Sequence, residues 1–538
     1  MLESARVKET HVADHAIARL PTGITAFIGR TLKGPVHRAV PIASFAEFEQ
    51  QFGGLWQPST LSYAVEQYFD NGGRRALIVR VVNGARPPTL TLPANGGHLR
   101  LVGVNPGSRE YLRAAIDYDG IGASESDRFN LVVQRVRIPG SELVEDQEIL
   151  RRVSAEPGSA RYLQDVLRAS RLVRAPDAPP ICRPDRTPAP PGGALVGYVQ
   201  SNPDGDDGAA LSDYDVIGSA AARTGLFALQ SEERFDLLCI PPLGREQDVG
   251  LSALLVAERF CRERHAMLVV DPPSSWGSCQ AALAGLREWP FRSENAVMFF
   301  PRVFGFDRLR NREEIFGSSA AGAGLIARMD ENCPIWAAAE SEDLILRPGL
   351  RPIVSLGDAE RARLRQLGIN GLQSVRAGLR TRTSPCTLAA GSSGAPDWKY
   401  LSARRLALFI LACIERGTAW LADAANGPAT WEEAQSAVEQ FLDSLDRQGA
   451  FAGSEPRDSY FVICDERVNR PNTVAEGRIN VLFGFATTRP AEFHAWLTSH
   501  TAAGCSSRPV AVNRLATSQR LLEWEIESSI LRAHNGAP

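Results

Sequence analysis

Between residues 22 and 83 the spacing of apolar positions changes from strand-like to helical and back. Residues 22–29 (TGITAFIG) form one apolar run closed by a glycine, the pattern of a buried strand. Ser44 and Glu47 stand three apart, a capping-box signature that predicts a short helix ending before Gly53 and Gly54. A second helix is predicted from about Ser59, with Leu61, Ala64, Val65, Tyr68 and Phe69 on one face, and Asn71, Gly72 and Gly73 at its end. Residues 75–82 (RALIVRVV) then read as a strand, which completes a compact α/β unit.

From residue 84 to about 203 proline and glycine become frequent and period-2 runs appear, such as residues 130–138 (NLVVQRVRI), predicting a β-rich region with long turns. Residues 176–193 read as a loop and 201–208 (SNPDGDDG) as a turn-rich junction. Apolar strands return at 235–240, 266–270 and 295–300, separated by helical patterns, and each is followed by proline within three residues. Strands that are apolar on both faces imply parallel pairing with helices on both sides. The last block predicts a long amphipathic helix from Leu401 to about Trp420. A second capping box at Thr430 and Glu433 opens another helix, and strands follow at 459–464, 477–485 and 491–498. Beyond His500 the pattern predicts a loop and a terminal helix near 518–533, whose broad apolar face carries Leu521, Leu522, Trp524, Ile526, Ile530 and Leu531. The fold class expected is therefore α/β and α+β, multidomain.

Composition narrows this only a little. The 538 residues suggest about three or four domains. The balance of 59 Lys+Arg against 62 Asp+Glu shows no basic excess of the kind a nucleic-acid binder carries. The nine cysteines include no CxxC pair and read as reduced thiols, not as a disulfide scaffold or zinc site. No apolar leader opens the chain and no run approaches a membrane span, so cytosolic synthesis is expected.

Candidate chemistry is thin. Ser318 lies in a Gly/Ser turn, FGSSAAG, that leads into a helical pattern, and Asp236 or Asp271 with His265 would complete a triad. The competing reading is a helix start with small residues packed on a sheet. Asp271 also stands at the end of a parallel strand, where α/β sheets bind ligands, although the favoured reading is that Asp-Pro-Pro ends the strand and turns the chain. His11 and His15 are spaced i, i+4 but lack a third ligand. Arg74-Arg75 and Arg404-Arg405 are short basic pairs of the sort common on surfaces. No cofactor, metal or catalytic residue is expected.

The two ends of the chain carry a more specific signal. Residues 24–35 (ITAFIGRTLKGP), 44–56 (SFAEFEQQFGGLW), 61–69 and 71–81 (NGGRRALIVRV) follow in order. Toward the other end come Asp397-Trp398-Lys399-Tyr400-Leu401, Arg404-Arg405-Leu406, Gly417-Thr418, Trp420, Trp431 and Gly449-Ala450. Tyr460-Phe461-Val462, Cys464-Asp465, Gly477-Arg478 and Arg489-Pro490-Ala491-Glu492-Phe493 complete the set. In order and spacing these stretches resemble the contractile tail sheath family of phage tails, R-type pyocins and extracellular injection particles.

The resemblance implies a discontinuous core, residues 21–83 plus 390–500, with a β-rich outer domain at 84–205 and a subtilisin-like, non-catalytic α/β domain at 206–389. An N-terminal arm (1–20) and a C-terminal extension (501–538) flank them. It also implies hexameric rings of this chain stacked around an inner tube protein, with baseplate, cap or terminator proteins as partners and room for a sheath paralogue. Neither nucleic acid binding nor membrane insertion is implied. Such a subunit is made in the bacterial cytoplasm and contracts from a metastable extended lattice. Arms that add strands to a neighbour's sheet would come from residues 5–12, with Arg6, Val7, Lys8, Glu9 and Val12, and from 491–498, with Phe493 and Trp496. The terminal-helix contacts would be Leu522, Trp524, Ile526 and Ile530. The family's usual Pro-Gly-Val/Ile-Tyr opening is missing. The alternatives are a hydrolase or protease built on the middle domain, or a baseplate or cap component sharing the sheath core.

Overall fold

A computed structural model describes residues 15–510, apart from 96, 181, 190–196, 233, 338–344, 347–348, 376–377, 382–384, 391–397, 488 and 490–491. The first predicted strand, Ile24–Gly29, lies inside a nine-stranded sheet. It pairs in parallel with Arg75–Arg80 on one side and Leu237–Cys239 on the other. Met267–Val270, Ala296–Phe300 and Asn370–Val375 continue the parallel run. Antiparallel strands close the two ends: Ala39–Ile42 beside Arg75–Arg80, and Gly378–Thr381 then Ile345–Leu346 beyond Asn370–Val375.

Residues 21–83 and the α/β middle contribute to one sheet, because the backbone of Ile24–Gly29 is hydrogen-bonded to strands of both. Parallel neighbours are joined by long crossovers, so nothing in a strand's own pattern says which strand will lie beside it.

Alternate residues of the parallel strands feed two cores. Ala26, Ile28, Leu238, Leu268 and Met298 face one side, under the helices Leu251–Glu263 and Cys279–Glu288. Phe27, Ile78, Cys239, Val269 and Phe299 face the other, under Phe45–Phe52, Thr60–Asp70 and Ser319–Asn332. Of the two predicted capping boxes, the one at Ser44 holds in part and the one at Thr430 does not form. The Ser44 hydroxyl accepts from the Glu47 amide at 3.2 Å, but the Glu47 carboxylate reaches back to the amide of Ala43, not to that of Ser44. Thr430 caps nothing: its helix is Pro428–Asp446, and Thr430 Oγ1 donates to the Ala425 carbonyl. Pro428 opens that helix because it lacks the N–H that would need a cap.

The β-rich region folds as two small sheets over a shared apolar core. Thr89–Ala94, Gly97–Gly103 and Val173–Arg174 form one, and Val199–Gln200, Tyr111–Asp117, Arg128–Val136 and Val144–Ser154 the other. Its entry and exit strands are stitched together: Arg86 holds Asp206 at 2.7 and 2.9 Å, and the Ala209 amide donates to the Asn83 carbonyl.

The last block is a four-stranded antiparallel meander, Tyr460–Ile463, Ile479–Ala486, Phe493–Thr501 and Gly504–Val510. Helices Leu401–Gly417 and Pro428–Asp446 cover one face. Helix Leu401–Gly417 serves both bodies: Leu401 and Leu408 pack into the core of the large sheet, while Phe409, Ile410, Cys413 and Ile414 pack on the meander. Residues expected to be a loop beyond His500 are the edge strand Gly504–Val510, whose polar sequence with Pro509 carries no apolar alternation.

Candidate assembly interface

The carboxyl ends of the parallel strands, where an α/β enzyme would hold its ligand, are filled by the chain itself. The Asp271 carboxylate accepts from the Ser319 amide at 2.8 Å and the Ser319 hydroxyl at 2.6 Å, so it caps the Ser319–Asn332 helix and occupies its anion-binding end. Burial raises its pKa, outweighing the hydrogen bonds from Ser319. Gly317 leaves room for it: a Cβ there would meet Asp271 Oδ1 at 2.2 Å. Gly322 and Gly324 do the same for the helix body, since added methyl groups would strike Phe299 at 2.2 Å and the Tyr68 carbonyl at 2.4 Å. Arg302 donates to the Pro272 carbonyl at 2.9 Å and pairs with Asp248, and Arg245 holds Asp307 at 3.0 Å with its guanidinium 4.5 and 4.9 Å from the stacked rings of Tyr63 and Phe316.

The triad does not assemble. Ser318 Oγ donates to the Phe299 carbonyl at 2.7 Å, and Asp236 accepts from the Ile24 amide at 3.1 Å and pairs with Arg234. His265 Nε2 instead lies 2.9 Å from Glu415 on helix Leu401–Gly417. Ser318 is therefore joined neither to His265 nor to Asp236. Among the described residues no three potential ligands are grouped to hold a metal, and no helix is long and apolar enough to cross a membrane. His11 lies outside the described residues; His15 stacks on Trp420 at 4.1 Å with Glu433 at 3.6 Å.

The seam between the large sheet and the meander is polar and buried. Arg404 and Arg405, expected on the surface, are 6% and 8% exposed. Arg405 grips Asp330 (Nη1 to Oδ1 2.5 Å), and Arg404 holds Asn295 at 2.8 Å and Glu294 at 2.9 Å. Their spacing alone could not reveal this, because their partners lie 75 and 109 residues away. Further along the seam His500 is buried with Thr418 Oγ1 at 2.9 Å and Cys505 Sγ at 3.7 Å. Burial pushes its pKa down to about 4, against an opposing pull from Glu415. A second charged seam joins the β-rich region to the sheet. Lys33 pairs with Glu145, Arg135 lies 3.6 Å from Glu110, and Arg80 donates to the Gly34 carbonyl at 2.7 Å. Burial lowers the Arg80 pKa to about 10 and raises that of Glu110.

The arm candidates divide. Arg6, Val7, Lys8, Glu9 and Val12 lie outside the described residues, as do Leu522, Trp524, Ile526 and Ile530. The strand of Phe493 and Trp496, Phe493–Thr501, is paired on both sides within the chain, and Trp496 is buried against Phe485 at 5.1 Å. An interior strand has no free edge to donate. The exposed edge is Gly504–Val510, paired on one side only among the described residues. Sequence reasoning also missed residues 15–20, which strap the chain's start to the C-terminal block. Arg19 reaches Gln448 at 2.8 Å, the Leu20 amide donates to Cys413 Sγ at 3.4 Å, and Ile17 fills the notch at Gly417.

No family model and no curated protein matches the chain by sequence. Solved structures do. A sheath tail protein from Listeria innocua, Lin1278, aligns over 91% of this chain and 97% of its own, with a TM-score of 0.61 and 13% identity. The sheath complex of an extracellular contractile injection system, PVC, in its contracted state covers 92% and 96% at TM-score 0.52 and 16% identity. A sheath tail protein from Desulfitobacterium hafniense, DSY3957, covers 94% and 100% at 0.50 and 9%. The fold is that of contractile tail sheath proteins, a mixed α/β architecture of several sheets.

Proposed function

We propose that this chain is the structural subunit of a contractile tail sheath. One observation carries the reading: the likeness to sheath proteins runs through more than nine-tenths of this chain and of theirs, leaving little of either outside the shared fold. The crevice filled by Asp271, Arg302 and Arg245 agrees with a body that does no chemistry. On this reading copies polymerise as stacked hexameric rings around an inner tube, held at their ends by baseplate and cap proteins, after synthesis in a bacterial cytoplasm. Contraction passes from a metastable extended lattice to one with more contact between subunits and drives the tube through a target envelope without nucleotide. The large parallel sheet with its helices is the subtilisin-like body, catalytically silent, and the β-rich region projects from it. Terminal arms tether neighbours by adding strands to their sheets.

Electron microscopy of the purified full chain tests this, with and without tube protein. Hollow striated cylinders are expected. A monodisperse monomer under both conditions would sink the reading.

A further inference from the structure

The β-rich region meets the large sheet at a joint without a shared apolar core. Among the described residues its own core, from Leu90 to Val173, has no member in common with the cores of the large sheet or the meander. What crosses the joint is polar. Lys33 pairs with Glu145, their side chains 9% and 7% exposed, and Arg80 of the sheet attracts Glu110. The two segments that enter and leave the region are stitched to each other by Arg86 and Asp206, so together they form one narrow neck. Arg30 holds the base of that neck, donating to the carbonyls of Asp207 and Gly208 at 2.8 and 2.7 Å. Each segment carries a glycine in the left-handed region, Gly84 at φ 67° and Gly208 at φ 71°. A Cβ at Gly208 would meet the Asn83 carbonyl oxygen at 2.2 Å, whereas one at Gly84 would meet nothing within 4 Å.

We propose that the β-rich region is a hinged body: the Lys33–Glu145 pair latches it onto the large sheet, and it swings as a unit about the neck at Gly84 and Gly208 when that pair parts. A joint without a shared apolar core resembles a transient interface between domains, for which relative motion is the default. A buried ion pair suits a latch, because the cost of desolvating the two charges offsets much of their attraction and is recovered when water returns to them. The two halves are held unequally. Lys33 belongs to the sheet, its amide donating to the Phe52 carbonyl at 3.2 Å. Glu145 has another cation in its own region, Arg137 at 3.6 Å, which stays with it on opening. Parting therefore gives Lys33 to water and leaves Glu145 with an arginine. A hinge needs only a few loop positions that absorb a change in φ and ψ, and the two neck glycines supply them. The joint does not depend on the sheath reading.

The test uses the full-length chain with spin labels at two exposed positions and with Cys182, Cys333 and Cys505 replaced by serine. One label is at Arg168→Cys, on helix Leu163–Arg168 of the β-rich region, and the other at Arg259→Cys, on helix Leu251–Glu263 of the large body. Pulsed electron resonance should give one narrow distance while the pair is intact. Adding Lys33→Met should move most molecules to a broader distribution whose mean differs by about 10 Å or more. The milder Glu145→Gln should move a smaller share the same way. One narrow distance in all three chains would overturn the proposal, and so would a broad distribution with the pair intact. Hydrogen exchange separates a swing from unfolding. Amides of strands Tyr111–Asp117 and Arg128–Val136 should keep their protection in the Lys33→Met chain. A loss of about tenfold or more there, or a Lys33→Met chain that does not fold, would mean that the pair holds the region folded and is no latch.

Discussion

The large sheet and the C-terminal meander solve the edge problem in opposite ways. The nine-stranded sheet carries helices on both faces and ends in short antiparallel strands, Ala39–Ile42 and Ile345–Leu346, so it is a closed body. The meander is covered by its main helices on one face and ends in Gly504–Val510, seven residues long and exposed. A sheet buried on all sides keeps its shape under load, whereas one with an open edge can recruit another strand. Helix Leu401–Gly417, packed into both, couples the two sheets.

Breaking that coupling should have the largest effect. Arg405→Ala leaves Asp330 buried and unpaired, and a cost of about 3–5 kcal/mol is expected. Scanning calorimetry should then show the meander melting apart from the large sheet; an unchanged single transition would mean the two bodies do not depend on this pair. Acid should act on the same seam. His500 has a folded pKa of about 4, below the usual 6.5. As pH falls from about 6.5 to 4 the unfolded chain takes up a proton that the folded chain refuses, so stability declines through that window by up to about 3 kcal/mol and then levels. Glu415, whose pKa is also lowered despite its burial, with His265 and Ser507 as hydrogen-bond partners, adds a loss of the same sign. His500→Gln should flatten the pH dependence of urea midpoints; an undiminished slope would place the acid sensitivity elsewhere. The smallest effect belongs inside the closed body. Asp271→Ala removes the cap of one helix and should cost about 1–2 kcal/mol in denaturant titrations while leaving polymer formation intact. Loss of polymers at full stability would mean that this crevice takes part in assembly.

What could be read from the chain follows the range of the interactions involved. The helices at Ser44 and Ser59 announce themselves because cap and capped amide are three residues apart. The cap on Ser319–Asn332 does not, because Asp271 comes from 48 residues upstream, just past the strand Met267–Val270. A Gly/Ser turn with an acidic residue and a histidine in the same region therefore admits a nucleophile reading beside the favoured one of a helix start packed on a sheet. The buried Arg404–Arg405 pair looked like surface charge for the same reason.

By itself the amino-acid sequence determined the character of each segment: apolar runs that must be buried on both faces, caps, glycines and the absence of any spacing that would gather ligands. Those are properties of neighbouring residues, set by local geometry and by the free energy of removing apolar groups from water. Only the tertiary structure decided that the first α/β unit and the middle of the chain share one sheet. It also decided that Phe493–Thr501 is interior while Gly504–Val510 is the edge, and that residues 15–20 bind the start of the chain beside that edge. Apart from proline, every residue offers a strand the same backbone donor and acceptor, so which strand satisfies them is settled by packing at a distance.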